Sequence, residues 1–245
     1  MQMKTVAIIQ ARMSSTRLPG KVLLPIGDTN AIQMIVDRCK ANPLIDEVVV
    51  ATTENEKDKA IQIYCIENKI AFYVGTEENV LDRVYCAAKL YKADIIVDIT
   101  SDCPFIDLSN LWEYIGPLFS KSMDYVSNVI TRTFPDGLDL QVYSFDALNW
   151  ITKNTYERKY WQHTGWNFTR FTGIFKTLNI QAPKELNYPE IRITLDTAED
   201  YAVLNLIYAL LGSEATTLQI VNFLLNNPNI LRINSNVKAK IPGDL

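Results

Sequence analysis

Residues 5–23, TVAIIQARMSSTRLPGKVL, join an apolar run to a segment rich in cations and small hydroxyl side chains. The run TVAIIQ (5–10) is hydrophobic almost throughout, which is typical of a strand that is covered on both faces of a parallel sheet. The segment that follows carries Arg12, Arg17 and Lys21 and no carboxylate. The sequence therefore predicts a buried first strand that opens at its carboxyl end into a basic loop.

The first half of the chain alternates short β-branched runs with amphipathic segments. Further strands are predicted at 46–52, 71–75 and 93–100, and helices at 30–41, about 56–69 and 78–91. We also expect a helix that ends at about residue 119 and is capped by Asp107 or Ser109. Strands and helices in this order form βαβ crossovers. The predicted fold class is therefore α/β, a three-layer α/β/α sandwich with a mostly parallel, mixed sheet.

The second half changes character but has no linker rich in glycine, serine or proline. Strands are predicted at 124–129, 137–144, 173–180 and 190–197, an aromatic-rich helical region from Phe145 to about Phe171, and an amphipathic helix at 198–211. Because no boundary separates the two halves, we expect one domain over 1–245, with residues from about 129 to 190 as an insertion or flap.

Composition excludes several classes of protein. The chain has 24 basic and 28 acidic residues, a net charge of −4, which argues against a nucleic-acid-coating protein. Four widely spaced cysteines and a single histidine fit neither a zinc site nor a disulfide framework, so free thiols in a reducing compartment are expected. No run is long enough for a signal peptide or a membrane span. We therefore expect a soluble, cytoplasmic protein.

The basic loop, residues 11–23, follows the carboxyl end of a strand, where open α/β sheets bind nucleotides and phosphates. It contains neither G-x-G-x-x-G nor G-x-x-x-x-G-K-[ST]. An arginine fork matches phosphate oxygens bidentately, and a lysine adds a compact charge. Cations that alternate with the hydroxyls of Ser14, Ser15 and Thr16 therefore predict a site for a polyphosphate. The alternative is a solvated loop that forms surface ion pairs.

Two separated aspartates also follow predicted strands. Asp102 stands in ITSDCPFID and Asp196 in ITLDTAED. Magnesium in proteins takes oxygen ligands, commonly one or two carboxylates together with substrate phosphates and water. The alternatives are a turn role for Asp102 before Pro104 and a capping role for Asp196 or Thr197 at the helix that follows.

Residues 11–23 fit the pattern A-R-x-x-S-x-R-x-P-x-K-x-L. This segment resembles the signature loop of the cytidylyltransferases that make CMP-activated sugars, in particular the spore coat polysaccharide biosynthesis cytidylyltransferases and the CMP-Kdo synthetases. The resemblance extends over most of the chain. It implies a Rossmann-like nucleotidyltransferase fold and a homodimer, with the segment 129–190 serving acceptor binding or dimerisation.

The resemblance implies roles for residues of the basic loop. Arg12, Ser14, Arg17 and Lys21 would bind the phosphates of CTP, and the backbone of Ala11 would contact the cytosine or the ribose. Of these, the three cations are the predicted catalytic residues, because they would offset charge on the phosphates during transfer.

The resemblance also gives a role to the two aspartates and to a helix. TSDCP and DTAED match segments whose aspartates bind magnesium in that family, so Asp102 and Asp196 are the predicted metal ligands. GTEENVLDRVYCAAKLYKAD resembles a segment that shapes the nucleotide pocket, which makes Asn79 and Arg83 candidates for nucleotide binding. The alternative for the polar residues of this segment is a solvated helical face.

Three further residues are candidates for the acceptor. FPDGLDLQVYS resembles a stretch that lines the acceptor site, and Asp139 and Gln141 alternate along its predicted strand. His163, the only histidine, lies in an aromatic run, so acceptor binding competes with a packed core position as its interpretation. In one departure from the family, Asp98 stands where many relatives carry arginine.

The sequence thus predicts an enzyme that transfers CMP from CTP to a sugar acid or a related phosphate-bearing acceptor, with Mg²⁺, and releases pyrophosphate. Surface polysaccharide or glycoconjugate biosynthesis is its expected setting. One alternative is a glycosyltransferase of GT-A-like fold that consumes a nucleotide sugar. Another is a nucleotide-binding module without catalysis. No nucleic acid and no membrane is expected as a partner.

Overall fold

The computed structural model describes residues 3–238, and its centre is one mixed seven-stranded sheet with the strand order β5-β4-β1-β6-β8-β7-β9. The strands are β1 Thr5–Gln10, β2 Pro25–Ile26, β3 Thr29–Asn30, β4 Glu47–Thr53, β5 Ala71–Gly75, β6 Ile95–Thr100, β7 Tyr125–Ser127, β8 Gln141–Ser144 and β9 Thr177–Asn179. β2 and β3 form a separate antiparallel pair. The first four strands of the sheet are parallel, and β8 runs antiparallel to both of its neighbours.

Helices cover both faces of the sheet. They are α1 Ala31–Ala41, α2 Lys59–Glu67, α3 Val80–Leu90, α4 Leu111–Phe119, α5 Phe145–Asn154, α6 Trp166–Arg170, α7 Ala198–Leu211, α8 Thr217–Asn226 and α9 Pro228–Leu231. Alternate residues of β1 enter different cores: Ala7 and Ile9 pack with α1, α2 and α4, whereas Val6 and Ile8 pack with α3 and α5. This arrangement confirms the three-layer α/β/α sandwich.

A third apolar cluster lies beside the sandwich. It joins α7 and α8 to the extended segment 191–195, from which Ile191, Ile193 and Leu195 project into the cluster. The side chains between them, Arg192 and Thr194, face away from it. The segment therefore fixes the position of Asp196, the next residue on the polar face.

Most predicted elements are present, with differences that have physical reasons. The strand predicted at 190–197 is an extended segment with a single bridge, Asp136 to Arg192, because it lies outside the main sheet. The cap of α4 is Asn110, and Asp107 instead accepts hydrogen bonds from Ser109 and Thr217. The continuous aromatic-rich helical region is broken into α5, a short 3₁₀ turn and α6. Helix α8 was not predicted.

The segment 129–190 contributes to the main sheet. It supplies β8, which lies between β6 and β7, and β9 at the edge. Its helices α5 and α6 place Leu148, Ile151 and Phe168 in the core under the sheet. The segment therefore shares the hydrophobic core of the domain, and its role in acceptor binding or dimerisation stays a prediction.

Candidate active site

The basic loop folds back on itself at the carboxyl end of β1. Gly20 has a φ of +71°, in the left-handed region that glycine adopts without strain, and its N–H donates to the carbonyl of Met13 at 3.0 Å. A short 3₁₀ turn then begins at Lys21. The turn returns Lys21 toward the sheet edge.

A buried carboxylate anchors the start of the loop. Asp58 is fully buried, and its Oδ1 accepts the backbone N–H of Met13 at 2.6 Å. The hydroxyl of Thr53, at the end of β4, donates to Oδ2 of Asp58. The backbone N–H of Ala11 donates to the carbonyl of Ala51 at 3.1 Å, which continues the sheet register past β1.

Lys21 joins the two aspartates that are predicted to bind metal. Its Nζ lies 2.9 Å from Oδ1 of Asp196 and 3.3 Å from Oδ2 of Asp102. Burial lowers the pKa of Lys21, but the charges of Asp102 and Asp196 more than offset this and raise it overall. Residues 94 positions apart in the sequence thus hold one ammonium group between them.

The backbone of residues 194–195 ties Asp196 to Asp102. The N–H of Leu195 donates to the carbonyl of Asp102 at 2.8 Å, and the hydroxyl of Thr194 donates to the same oxygen at 3.0 Å. The carboxylate of Asp102 accepts the hydroxyl of Thr100 at 2.5 Å. The carboxylate pair, Asp102 and Asp196, is therefore set by fixed backbone.

Arg12, Ser14 and Arg17 of the basic loop also bind carboxylates. Arg17 Nη2 lies 2.8 Å from Oδ2 of Asp196, and Arg17 Nη1 donates to the carbonyl of Lys238 at 3.3 Å. Arg12 Nη1 and Ser14 Oγ both donate to Oε1 of Glu77, at 3.2 and 2.6 Å.

Ser15 occupies the serine position of the sequence pattern, but its hydroxyl accepts the N–H of Leu18 at 3.3 Å. Its contact is therefore internal to the turn, whereas the hydroxyl of Ser14 binds the carboxylate of Glu77.

Asn79 and Arg83 lie beside the loop on α3. The side chain of Asn79 caps α3 by accepting the N–H of Asp82 at 2.9 Å. Arg83 is buried, not on a solvated helical face, and its Nη1 donates to the carbonyl of Thr76 at 2.7 Å. Burial and the nearby charge of Arg12 lower the pKa of Arg83.

Asp98 is buried in β6 beneath the loop. Its carboxylate accepts hydrogen bonds from Nε2 of Gln10 at 2.6 Å and from the hydroxyl of Tyr143 at 2.7 Å. Burial raises the pKa of Asp98 to about 6, although both hydrogen bonds and the charge of Arg83 oppose the shift. The two hydrogen bonds therefore satisfy the carboxyl group of Asp98 at its buried position.

Two of the three predicted acceptor residues are engaged with protein groups. Asp139 forms a bidentate pair with Arg132, at 2.6 and 2.7 Å. Gln141 Oε1 accepts the hydroxyl of Tyr125 at 2.9 Å. Asp139 precedes β8 and Gln141 begins it, so both stand at the edge of the sheet beside β6.

His163 is exposed and not part of the core. Its ring lies 5.4 Å from that of Trp166. Partial desolvation lowers the pKa of His163, and the positive charges of Arg170 and Arg12 add to the shift.

Sequence reasoning missed four charged residues of the site: Asp58, Glu77, Arg132 and Arg192. Arg192 is buried and contacts Asp136, Asp196 and Asp200. The alternation of polar and apolar residues in EIRITLDT was the available signal for it, because that pattern places Arg192 and Asp196 on one face. Glu77 carried no signal, since it contacts the loop across 65 positions of sequence.

The donor set suits a divalent cation bound with a polyphosphate. Within residues 3–238 no group of three or more histidine, cysteine or acidic side chains could hold a metal ion alone. Two carboxylates that already hold an ammonium group between them fit Mg²⁺, which keeps water and phosphate oxygens as its other ligands. The arrangement can therefore bind a metal–triphosphate complex with Arg17 and Lys21 beside it.

Comparison with known proteins identifies the family. The cytidylyltransferase family model matches residues 6–221. A protein of uncharacterized function from Methanocaldococcus jannaschii is 36% identical over 97% of both chains. The spore coat polysaccharide biosynthesis protein SpsF of Bacillus subtilis is 30% identical over 91% of this chain and 94% of its own.

A 3-deoxy-manno-octulosonate cytidylyltransferase of Geobacter metallireducens is 35% identical, over 49% of this chain and 46% of its own. The solved structure of a cytidylyltransferase from Leptospira borgpetersenii superposes with a TM-score of 0.87 at 31% identity, covering 98% of this chain and 100% of that one. In the part of the chain that is described, no helix is both long and apolar enough to cross a membrane. The chain belongs to the cytidylyltransferase family and is a CTP-dependent nucleotidyltransferase.

Proposed function

We propose that this enzyme transfers CMP from CTP to a sugar acid or a related phosphate-bearing acceptor, with Mg²⁺, and releases pyrophosphate. The observation that carries the proposal is the ammonium group of Lys21, which lies between the carboxylates of Asp102 and Asp196 at the end of the basic loop. The full-length similarity to the spore coat protein SpsF supports a setting in surface polysaccharide or glycoconjugate biosynthesis.

The reaction exchanges one phosphoester bond for another. An acceptor oxygen attacks the α-phosphorus of CTP, the bond from that phosphorus to the bridging oxygen breaks, and the electron pair leaves with pyrophosphate. The attacking hydroxyl gives up its proton to solvent or to a nearby carboxylate. Charge builds on the leaving pyrophosphate, so groups that offset this charge lower the barrier.

The basic loop supplies these groups. Arg17 and Lys21 lie beside the carboxylate pair and would bind the phosphates nearest to it, while Arg12 and Ser14 would bind the other end of the triphosphate. Their fixed spacing also orients the chain of phosphates for in-line attack. The backbone of Ala11, with Asn79 and Arg83, would line the side of the cytosine and ribose.

Asp102 and Asp196 would hold Mg²⁺ through carboxylate oxygens. When bound, the ion supplies electrostatic stabilisation of the phosphates and polarises the attacking oxygen. With its carboxylate partners neutralised in this way, Lys21 would be free to bind a phosphate.

The acceptor would lie toward β8, where Asp139, Gln141 and the exposed His163 stand. Asp139 binds Arg132 bidentately. An acceptor that bears a carboxylate or phosphate would therefore compete with Asp139 for the guanidinium of Arg132.

A pyrophosphate-release assay tests the proposal. The enzyme is given CTP and Mg²⁺ with a panel of acidic sugars, sugar phosphates and phosphonates, and ATP, UTP and GTP are tested in place of CTP. We expect release with CTP and at least one acidic acceptor, and a loss of about two orders of magnitude in Asp102→Asn. Asp37→Asn, an exposed carboxylate on α1, is the matched control.

Two outcomes would favour the other candidates. Sugar transfer or hydrolysis from a nucleotide sugar, without CTP-dependent pyrophosphate, would indicate a glycosyltransferase. Tight CTP binding without turnover across the whole panel would indicate a binding module. Near-normal release in Asp102→Asn would contradict the metal role of the carboxylate pair.

Sedimentation in solution tests the homodimer that the resemblance to the family implies.

A further inference from the structure

Arg192 is a buried cation that binds three carboxylates beside the carboxylate pair, one of them that of Asp196 itself. It is 7% exposed, and each of its three guanidinium nitrogens binds a carboxylate. Nη1 donates to Asp136 at 2.6 Å, and Nη2 donates to both Asp196 and Asp200 at 3.0 Å. We propose that Arg192 is a positioning residue that fixes the carboxylate of Asp196 for metal binding. This inference rests on the proposed function, which makes Asp196 a metal ligand.

Asp200, a carboxylate that binds Arg192, is itself held in place. Asp200 is fully buried and accepts Nε and Nη2 of Arg192, both at 3.0 Å. It also accepts the backbone N–H groups of Asp196 and Thr197 at 3.1 Å, as part of the capping box that begins α7. Asn234 adds a further hydrogen bond to Asp200 at 2.9 Å. The guanidinium therefore has little freedom to rotate.

The two oxygens of Asp196 have different partners. Oδ1 faces Lys21 at 2.9 Å, on the side of Asp102, whereas Oδ2 accepts from Arg192 at 3.0 Å and from Arg17 at 2.8 Å. A carboxylate held at one oxygen presents the other in a constant direction. The oxygen that Arg192 does not bind, Oδ1, is the one that faces the ammonium group of Lys21.

Of the two restraints on Oδ2 of Asp196, only the one from Arg192 would persist when a nucleotide binds. The side chain of Arg17 is 27% exposed and is a predicted phosphate ligand, so a triphosphate would draw it away from Asp196. Arg192 is bound on all sides by protein carboxylates and is covered from solvent. It therefore keeps Asp196 in place at the stage of the reaction where the metal is bound.

Direct measurement of metal binding tests this role. Mn²⁺ is titrated into the enzyme, with and without saturating CTP and in the absence of acceptor, and free Mn²⁺ is measured by electron paramagnetic resonance. Arg192→Lys keeps the charge but offers one nitrogen where the arginine offers three. We expect Mn²⁺ affinity to fall about tenfold, the lower end of the range for lost outer hydrogen bonds to a metal ligand.

Arg38→Lys is the matched control. Arg38 also binds three partners, the carbonyls of Ile106, Ser213 and Ala215, but forms no hydrogen bond to Asp102 or Asp196. It should lower thermal stability without a change in Mn²⁺ affinity. An equal loss of affinity in both variants would reduce the effect to general destabilisation and overturn the proposal.

Two further variants separate the possible failures. Asp136→Asn weakens the ion pair to Arg192 at a half-buried position and should lower Mn²⁺ affinity a few-fold, so it decides the question if Arg192→Lys does not fold. Unchanged affinity in a folded Arg192→Lys, or in Asp136→Asn when the lysine variant is unfolded, would overturn the positioning role. Unchanged affinity in Asp196→Asn would instead overturn the metal role in the proposed function.

Discussion

The two halves of the basic loop differ in how far their ion pairs with carboxylates are exposed to solvent. In the back half, residues 17–23, Lys21 pairs with Asp196, and the two side chains are only 11% and 19% exposed. Arg192 also holds the carboxylate of Asp196. In the front half, residues 11–16, Arg12 and Glu77 are 49% and 33% exposed. The back half therefore resembles a preformed site, whereas the front half holds a contact that solvent screens.

This difference indicates how each half would exchange partners for a nucleotide. A metal ion would satisfy the carboxylates of the back half, so its cations are released without leaving a buried charge unpaired. Glu77 has no metal partner in this account. Its carboxylate would instead turn into solvent when Arg12 and Ser14 bind phosphate. Because Glu77 is already partly exposed, this change would cost little free energy.

The largest effect should come from the back half. Lys21→Ala leaves Asp102 and Asp196 without their shared cation and removes a proposed phosphate ligand, so turnover should fall by about two orders of magnitude or more. The measurement is the initial rate of pyrophosphate release at saturating CTP. Lys40→Ala, at an exposed position on α1, is the control for loss of a lysine. Near-normal turnover in Lys21→Ala would contradict the division between the halves.

A smaller effect is expected from the front half. Arg12→Ala should raise KM for CTP by about tenfold and lower kcat less, because an exposed guanidinium binds the triphosphate more weakly than a buried one. Steady-state kinetics at varied CTP would show this split. If kcat fell in Arg12→Ala as far as in Lys21→Ala, the two halves would be equivalent in catalysis.

Glu77→Gln should change KM in the opposite direction. Removing the carboxylate that competes for Arg12 and Ser14 should lower KM for CTP by about two- to fivefold, the size of an exposed ion pair. Glu78→Gln is the matched control, because this neighbouring carboxylate pairs with Arg158, away from the loop. A raised KM in Glu77→Gln would show that Glu77 orients Arg12 for CTP, so that its carboxylate is not a competing anion.

The smallest effect on turnover should come from Asp98, and its signature is pH dependence of stability. Burial raises its pKa to about 6, above the value of about 3.9 in an unfolded chain. The folded state therefore binds more protons between these values, and stability falls as the pH rises through about 4 to 6. Asp98→Asn does not ionise, so its Tm relative to the wild type should rise over that window.

Thermal melts at pH 4 and pH 8 measure this effect. Asp37→Asn, an exposed carboxylate on α1, should show no such change between the two pH values. A Tm difference between wild type and Asp98→Asn that stays the same at both pH values would contradict a buried, titrating carboxyl group beneath the front half.

The sequence predicted the back half better than the front half for a physical reason. Lys21 and Asp102 follow β1 and β6, parallel neighbours whose carboxyl ends meet at one edge of the sheet. Asp196 follows an extended segment outside that sheet, and backbone contact with Asp102, which the strand pattern does not predict, brings it there. The helix at 198–211 also matches α7 residue for residue, because its capping residues and apolar spacing are local.

Residues that depend on side-chain contacts across the fold could not be predicted. Glu77 reaches Arg12 from the turn after β5, and nothing in its neighbours distinguishes it from Glu78, which points elsewhere. Asp139, a predicted acceptor residue, pairs with Arg132, and His163, for which a packed core position was the competing interpretation, is exposed. The environment of these side chains therefore depends on the folded structure around them and not on the local sequence pattern.

A crystal structure of the enzyme with CTP and Mn²⁺, without acceptor, would show whether the carboxylate pair holds the metal. The anomalous signal of manganese would locate the metal independently of the protein atoms. We expect Mn²⁺ bound by Asp102 and Asp196, the triphosphate bound by Arg17 and Lys21, and Glu77 released from Arg12. A metal bound away from both aspartates, or a triphosphate that does not contact the basic loop, would contradict it.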